Sequence, residues 1–323
     1  MLAESEKNPN KVLVVGSFVM DFIVHTSRFP ERGETVLGES FSMAPGGKGA
    51  NQAMQMALLG LDVDMLGKVG SDVYGDILLS SLKNAGVNVS QVLRDGSFSA
   101  VGNVQVETDS EGNTENRIIV VSGANMEITD ADIAHLETQI SQYRAVVLQQ
   151  EIPLSINKQI RAMAKRQGVK VILNPAPSYA LDEEDYRSID YLLPNEHELL
   201  ELVGECDDDR SVFDLEDIVK KARILIKLGC PNVIVTLGSK GACWVTAEDY
   251  IYEKAVQNVI SLDPTAAGDS FVAAFTYAML FSFPARKSIK FANYVGALTV
   301  SKKGAQTSLS SLNEVEQFIR NHF

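Results

Sequence analysis

Asp263-Pro264-Thr265-Ala266-Ala267-Gly268-Asp269 joins a β-prone run, 256–262, to an apolar run, 270–281. The joint reads as strand, tight turn and helix N-terminus. The first N–H groups of such a helix lack intrahelical partners, and the helix dipole favours negative charge beside them. That combination is an anion cradle. Ala266, Ala267 and Gly268 carry almost no side chain, so an anion can approach the backbone closely, and Asp269 is expected in the first turn with its carboxylate facing the same spot. A base beside an anion hole is what phosphoryl transfer to an alcohol requires. The same residues also suit a plain N-cap and tight turn, so the rest of the chain has to decide.

Upstream, apolar runs at 145–149, 169–173, 191–193 and 233–237 alternate with helix-like stretches near 130–142, 155–167, 180–188, 196–203 and 214–229. That rhythm predicts a mainly parallel, doubly wound sheet. Just past the expected strand ends stand Glu151, Asn174, Asn195 with Glu198, and Thr236 with Gly238, Ser239 and Gly241. Any one serves as a helix cap, but the carboxyl edge of such a sheet is also where ligands bind. Downstream come an apolar helix at 288–300, a loop at 302–308 and an amphipathic helix at 311–321.

The front of the chain opens with a short apolar strand, Lys11–Val15, ending at Gly16. Only one glycine follows it, so the dinucleotide fingerprint is absent, which disfavours a nicotinamide-dependent dehydrogenase. Asp21 is expected just beyond that strand, where a carboxylate can accept bonds from two neighbouring hydroxyls. Short alternating segments at 22–25 and 35–41 predict strands outside the main sheet. Pro45-Gly46-Gly47-Lys48-Gly49-Ala50-Asn51-Gln52 leads into a helix to about Leu59, with Gly60 as its stop. It is not a phosphate-binding loop of the Walker type, because Gly49 stands where Ser or Thr should follow the lysine. Segments 98–108 and 115–121 flank the turn-forming Asp109-Ser110-Glu111-Gly112-Asn113, a hairpin signal that completes a small four-stranded sheet. No linker or repeat interrupts 1–323, so a single α/β domain is expected, with a lid sheet inserted at about 18–45 and 98–121.

With 323 residues, 45% of them hydrophobic, the chain can bury a large core. A net charge of −13 argues against nucleic acid or an anionic membrane as partner. Residues 1–10 are polar and no apolar run reaches about 18 residues, which predicts a soluble, cytoplasmic protein. Cys206, Cys230 and Cys243 indicate neither a disulfide framework nor a zinc site, and the four histidines lack metal-ligand spacing.

Taken together, Gly46-Gly47-Lys48-Gly49-Ala50-Asn51 early and Asp263-x-Thr265-Ala266-Ala267-Gly268-Asp269 late, with Asn195-x-x-Glu198 and Thr236-Leu237-Gly238-Ser239 between, resemble the ribokinase family of carbohydrate kinases. The resemblance covers Lys11 to Ser308. It implies transfer of the ATP γ-phosphate to a sugar hydroxyl, with Asp269 as base and the amides of Ala266, Ala267 and Gly268 as anion hole. It further implies sugar contacts from Asp21, Gly47, Lys48, Asn51 and Glu151, and ATP contacts from Asn195, Thr236, Gly238, Ser239, Gly241, Gly268 and Asn293. Glu198 matches the acidic residue that helps hold Mg²⁺. Asp263 and Ser308, with carbonyls of Thr265, Thr299, Lys302 and Gly304, match a monovalent-cation loop suited to K⁺. The inserted sheet resembles the family's lid, through which ribokinases pair as homodimers. Two positions depart from the pattern. Pro264 replaces a usual Thr and removes one N–H. Val19 stands where ribokinases carry a sugar-binding Asn, which leaves ribose as the leading acceptor and keeps another pentose, a hexose or a nucleoside open. A non-catalytic sugar or nucleotide sensor on the same fold is the reading outside the enzyme class.

Overall fold

In the computed structural model, which describes residues 10–108, 114–205 and 214–322, two sheets carry the chain. The strands are β1 (Lys11–Val15), β2 (Val19–Thr26), β3 (Ser40–Gly46), β4 (Asp62–Gly70), β5 (Asn88–Gly96), β6 (Val101–Thr108), β7 (Thr114–Val121), β8 (Ala145–Leu148), β9 (Lys170–Leu173), β10 (Tyr191–Leu192), β11 (Val233–Thr236), β12 (Ala242–Val245) and β13 (Tyr250–Glu253). The helices are α1 (Lys48–Leu58), α2 (Val73–Asn84), α3 (Asp130–Ile133), α4 (Leu136–Gln139), α5 (Leu154–Arg166), α6 (Glu183–Arg187), α7 (Glu196–Leu202), α8 (Leu215–Leu228), α9 (Ala267–Leu280), α10 (Ala285–Val300) and α11 (Leu312–Asn321).

The large sheet runs β13-β12-β11-β10-β9-β8-β1-β4-β5, parallel from β11 to β5 and closed at the other end by the antiparallel β12 and β13. Val12 and Val14 of β1 enter one core with α1, α2, α9 and α10, whereas Leu13 and Val15 enter the other with α5, α7 and α8. Alternate side chains of a strand point to opposite faces, so helices on both sides explain why β1 is apolar at four consecutive positions. Strand order reverses between β1 and β8: from β1 the chain builds outward through β4 and β5, and from β8 through β9 and β10. A doubly wound sheet opens its ligand crevice at such a switch, beyond the carboxyl ends of the strands. Here that crevice lies at Gly16-Ser17 and Gln149-Gln150-Glu151.

The small sheet runs β3-β2-β6-β7, with β2 and β6 parallel and both outer pairs antiparallel. Phe22 pins it to α2 by an edge contact with Tyr74, ring centroids 5.2 Å apart. On its outer strands Phe41, Met43, Ile118 and Ile119 are exposed.

Several expectations need correction. The run 256–262 is not a strand: the Leu262 and Asp263 N–H groups bond the Val300 carbonyl at the end of α10, and the segment forms a wall of a cavity instead. The second outer strand begins at Ser40, not 35, and continues through Pro45, which an edge strand tolerates. Asp21, expected just beyond the first strand, lies within β2 of the small sheet. The turn 109–113 and Cys206 fall outside the described residues, while Cys230 and Cys243 are buried free thiols. Among the described residues no helix is long and apolar enough to cross a membrane.

Candidate active site

Asp269 sits on the third residue of α9, buried to 7% exposure. Its Oδ2 accepts the Asn51 amide N–H (2.9 Å) and its Oδ1 that of Gln52 (3.0 Å). The helix starts abruptly because Ala266, the N-cap, adopts a left-handed conformation with φ 61°. A non-glycine residue there is uncommon and mildly strained. The Ala267 N–H turns back to the Pro264 carbonyl (3.2 Å), and the Ser270 N–H makes the first helical bond, to Ala266 (2.9 Å). The helix N-terminus between them opens on a cavity of about 240 Å³ lined by Lys48, Asn174, Asn195, Glu198, Thr236, Gly268 and Asp269.

Lys48 is the first residue of α1, and Gly47 before it has φ 95°. A Cβ on Gly47 would meet the Val19 nitrogen at 2.7 Å, so this turn presses its backbone onto the link between β1 and β2. The Lys48 N–H bonds Glu151 (3.2 Å), which also accepts the Ser17 hydroxyl. Burial opposes charge on the Lys48 ammonium, but Asp269, Glu151 and Glu198 together outweigh it and raise its pKa. Burial raises the pKa of Glu151 and of Glu198, against the pull of Lys48 on both. Asp21 is pushed up to about 6, by burial first and Glu151 second. Its carboxylate lies against Gly46 and Gly102, and a Cβ on Gly102 would meet Asp21 Oδ1 at 2.2 Å. Asp21, Gly47, Asn51 and Glu151 do not line the 240 Å³ cavity; Asn51 is joined to it through Asp269, and Glu151 through the Lys48 N–H.

A second cavity, about 320 Å³, is lined by Thr236, Gly238, Ser239, Gly241, Asn293 and the apolar Val256, Val259 and Phe271. It shares Thr236, Pro264 and Gly268 with the first, so the two meet at the start of α9. The Asn293 amide N–H group is already engaged by the carbonyls of Glu253 and Lys254, both at 3.2 Å.

Among the described residues no three His, Cys, Asp or Glu side chains gather as a metal cage. Asn195 and Glu198 form a reciprocal capping box at α7, with each Glu198 oxygen accepting one bond from Asn195. Those oxygens keep lone pairs toward the cavity, a donor set that fits a divalent ion held by one carboxylate, phosphates and water. Asp263 accepts the Thr265 N–H (2.9 Å) and the Gly304 N–H (2.8 Å), tying the loop before α9 to the loop after α10. Burial works against its charge, but those bonds prevail and lower its pKa. Of the other expected cation-loop residues, the Ser308 hydroxyl donates to Ala305 (2.7 Å) and the Thr299 carbonyl accepts the Lys302 N–H (3.1 Å), which leaves each oxygen a lone pair for a cation.

Two meeting cavities, one apolar and glycine-rich, the other polar with a carboxylate beside a helix N-terminus, suit a donor and an acceptor held end to end. A model of the pfkB family carbohydrate kinases matches residues 9–312. The chain belongs to this family. Among pfkB relatives, a ribokinase of Lactococcus lactis is 36% identical over 307 residues, 95% of this chain and 96% of that protein. A deoxyribokinase of Salmonella typhi is 33% identical over 310 residues, covering 95% and 98%. The solved structure of Arabidopsis thaliana ribokinase complexed with ribose and ATP superposes with a TM-score of 0.85 at 32% identity, covering 96% of this chain and 99% of that one. Sequence reasoning for this pfkB chain assigned no role to Gln52, Ser17 or Gln149, whose only signal was polarity inside segments otherwise buried, and placed Asn174 at the ligand-binding carboxyl edge without giving it a partner.

Proposed function

We propose that this chain transfers the γ-phosphoryl group of ATP to a sugar hydroxyl, with D-ribose as first acceptor and the 5-hydroxyl as the site. The observation that carries this is Asp269, held by two amides at the point where the two cavities meet. Asp269 takes the proton of the acceptor hydroxyl as its oxygen attacks the γ-phosphorus. The bond to the ADP oxygen breaks, and the N–H groups at Ala266 and Gly268 with Lys48 meet the charge on the migrating group, while that of Ala267 is held by the Pro264 carbonyl. Asp21, Gly47, Lys48, Asn51 and Glu151 hold the sugar. Thr236, Gly238, Ser239, Gly241, Asn195 and Asn293 form the ATP wall. Glu198 would hold Mg²⁺, which when bound neutralises phosphate charge. Asp263, with Ser308 and the carbonyls of Thr265, Thr299, Lys302 and Gly304, would hold K⁺ and stiffen the turn before α9. We read the whole chain as one kinase domain working in the cytoplasm, paired with a second copy through the exposed apolar faces of β3 and β7.

One observation favours a second acceptor. The Val19 side chain shares the Gly102 side of β2 with the Asp21 carboxylate and offers no hydrogen bond. A sugar lacking one hydroxyl loses less there, and the deoxyribokinase likeness points the same way. The test is ADP release with ribose, deoxyribose, other pentoses, hexoses and nucleosides, on wild type and Asp269→Asn. The expected result is turnover with a pentose and a kcat loss of about 10²–10⁴ in the variant. Near-normal turnover by Asp269→Asn would remove it from the mechanism, and no ADP release with any sugar would leave only a sensor.

A further inference from the structure

We infer that Gln52 is a positioning residue for Asp269, aimed by an amide relay rooted in the carboxyl ends of β8 and β9; this rests on the phosphotransfer reading above. Gln52 is fully buried on α1. Its Nε2 donates to Asp269 Oδ1 (3.0 Å) and to Asn174 Oδ1 (3.1 Å), and its Oε1 accepts from Gln149 Nε2 (2.6 Å). Each partner is anchored in turn: the Asn174 amide donates to the Leu193 carbonyl (3.0 Å), and the Gln149 carbonyl accepts the Asn157 amide (2.6 Å).

The direction of the relay follows from donor and acceptor chemistry. An ionised Asp269 only accepts, so Gln52 must turn its NH₂ toward it, and its oxygen then faces Gln149. Gln149 must present its own NH₂ in reply, which leaves Gln149 Oε1 buried without a partner, packed where a Cβ on Gly16 would lie 2.0 Å away. A buried polar atom left unpartnered is costly, and it is kept here at the far end of a chain whose near end is the reacting carboxylate. Asn51 holds Oδ2 and Gln52 holds Oδ1, so both oxygens of Asp269 are placed by α1. Gln52 is fully buried with both amide protons spent on Asp269 and Asn174, and Gln149 is fully buried behind it, so each acts through Asp269 and not on substrate.

The test is steady-state ADP release by Gln52→Met, which keeps length and loses the donor, in wild-type and Asp269→Asn backgrounds. We expect kcat to fall about 10- to 100-fold, the scale of a misplaced reacting group, with both KM values within about twofold. In the Asp269→Asn background the second substitution should cost nothing further, since the group it positions is gone. An unchanged kcat, an effect confined to KM, or a loss that multiplies in the double variant overturns the inference. Should Gln52→Met fail to bind ribose and ADP by calorimetry, Gln149→Met carries the test: a smaller kcat loss with unchanged KM is expected, and an unchanged kcat overturns it. A wild type that releases no ADP sinks the phosphotransfer reading and this inference together, whereas an active wild type with an equally active Gln52→Met sinks only the inference.

Discussion

Asp21→Asn should make the ligand-free protein more stable and a poorer sugar binder. The Asp21 carboxyl rises from an ordinary 3.8 to about 6 because burial and the neighbouring Glu151 both disfavour its charge. A folded pKa above the unfolded one means that the folded chain prefers the protonated form. Below pH 3.8 both states are protonated and nothing is lost; as pH rises toward 6 the unfolded state ionises first, and above 6 the penalty is complete. A rise of that size corresponds to about 3 kcal/mol at most, or about 1–2 kcal/mol once the water reaching a partly buried carboxyl is allowed for. The neutral amide removes this penalty. Calorimetric midpoints of both proteins at pH 5 and pH 8, without ligand, should show the variant ahead, with about half of the gap at pH 5 and all of it at pH 8. The sugar KM should rise about 10-fold or more, since bonds to a charged group are worth about 1.5–3 kcal/mol. A variant less stable than wild type at pH 8, or a gap that ignores pH, would refute the reasoning.

Two further outcomes follow from the loops and the small sheet. Because Asp263 ties the turn before α9 to Gly304, potassium should raise turnover severalfold over sodium at matched ionic strength, and Asp263→Asn should abolish that difference; equal rates in both salts would count against a cation there. Ile119→Lys places a charge on the exposed face of β7, 67% accessible in the single chain, and should convert a dimer to a monomer in sedimentation at micromolar concentration. An unaltered mass, or a wild type that is already monomeric, would reject pairing through that face.

The parts of this fold legible in the sequence are those whose burial is two-sided or strictly periodic. Strands β1, β8, β9 and β11 are continuous apolar runs because helices cover both faces, and α1, with its glycine turn before and Gly60 after, shows both boundaries. Strand β5 escaped notice because it is an edge whose residues are mostly exposed or half-buried, so Asn88, Ser90, Gln91 and Arg94 hide its period. The hairpin β12–β13 escaped because each strand is four residues long. The opposite error, reading 256–262 as a strand, shows β-propensity overruled by geometry: the sheet ends at β13, and the segment finds its partner at the end of α10. In the candidate site, Asp269, Lys48, Asn51 and Glu198 stood out as charged or polar groups at turns. Asn174 stood out only by its place at the carboxyl edge and Gln52 not at all, since their value lies in contacts between residues 122 and 217 positions apart, which no local pattern reveals.

Asp21 belongs to β2, a strand of the small sheet, only a few residues after the chain leaves β1. Its neighbours are strands β3 and β6 in full register, so the carboxylate has no freedom apart from theirs. On the proposed function, the hand that grips the acceptor is thus fixed to the roof over it. On that reading a substitution that retunes how the roof seats, or what a second copy does to it, also retunes the choice of sugar, and neither trait can drift without dragging the other along.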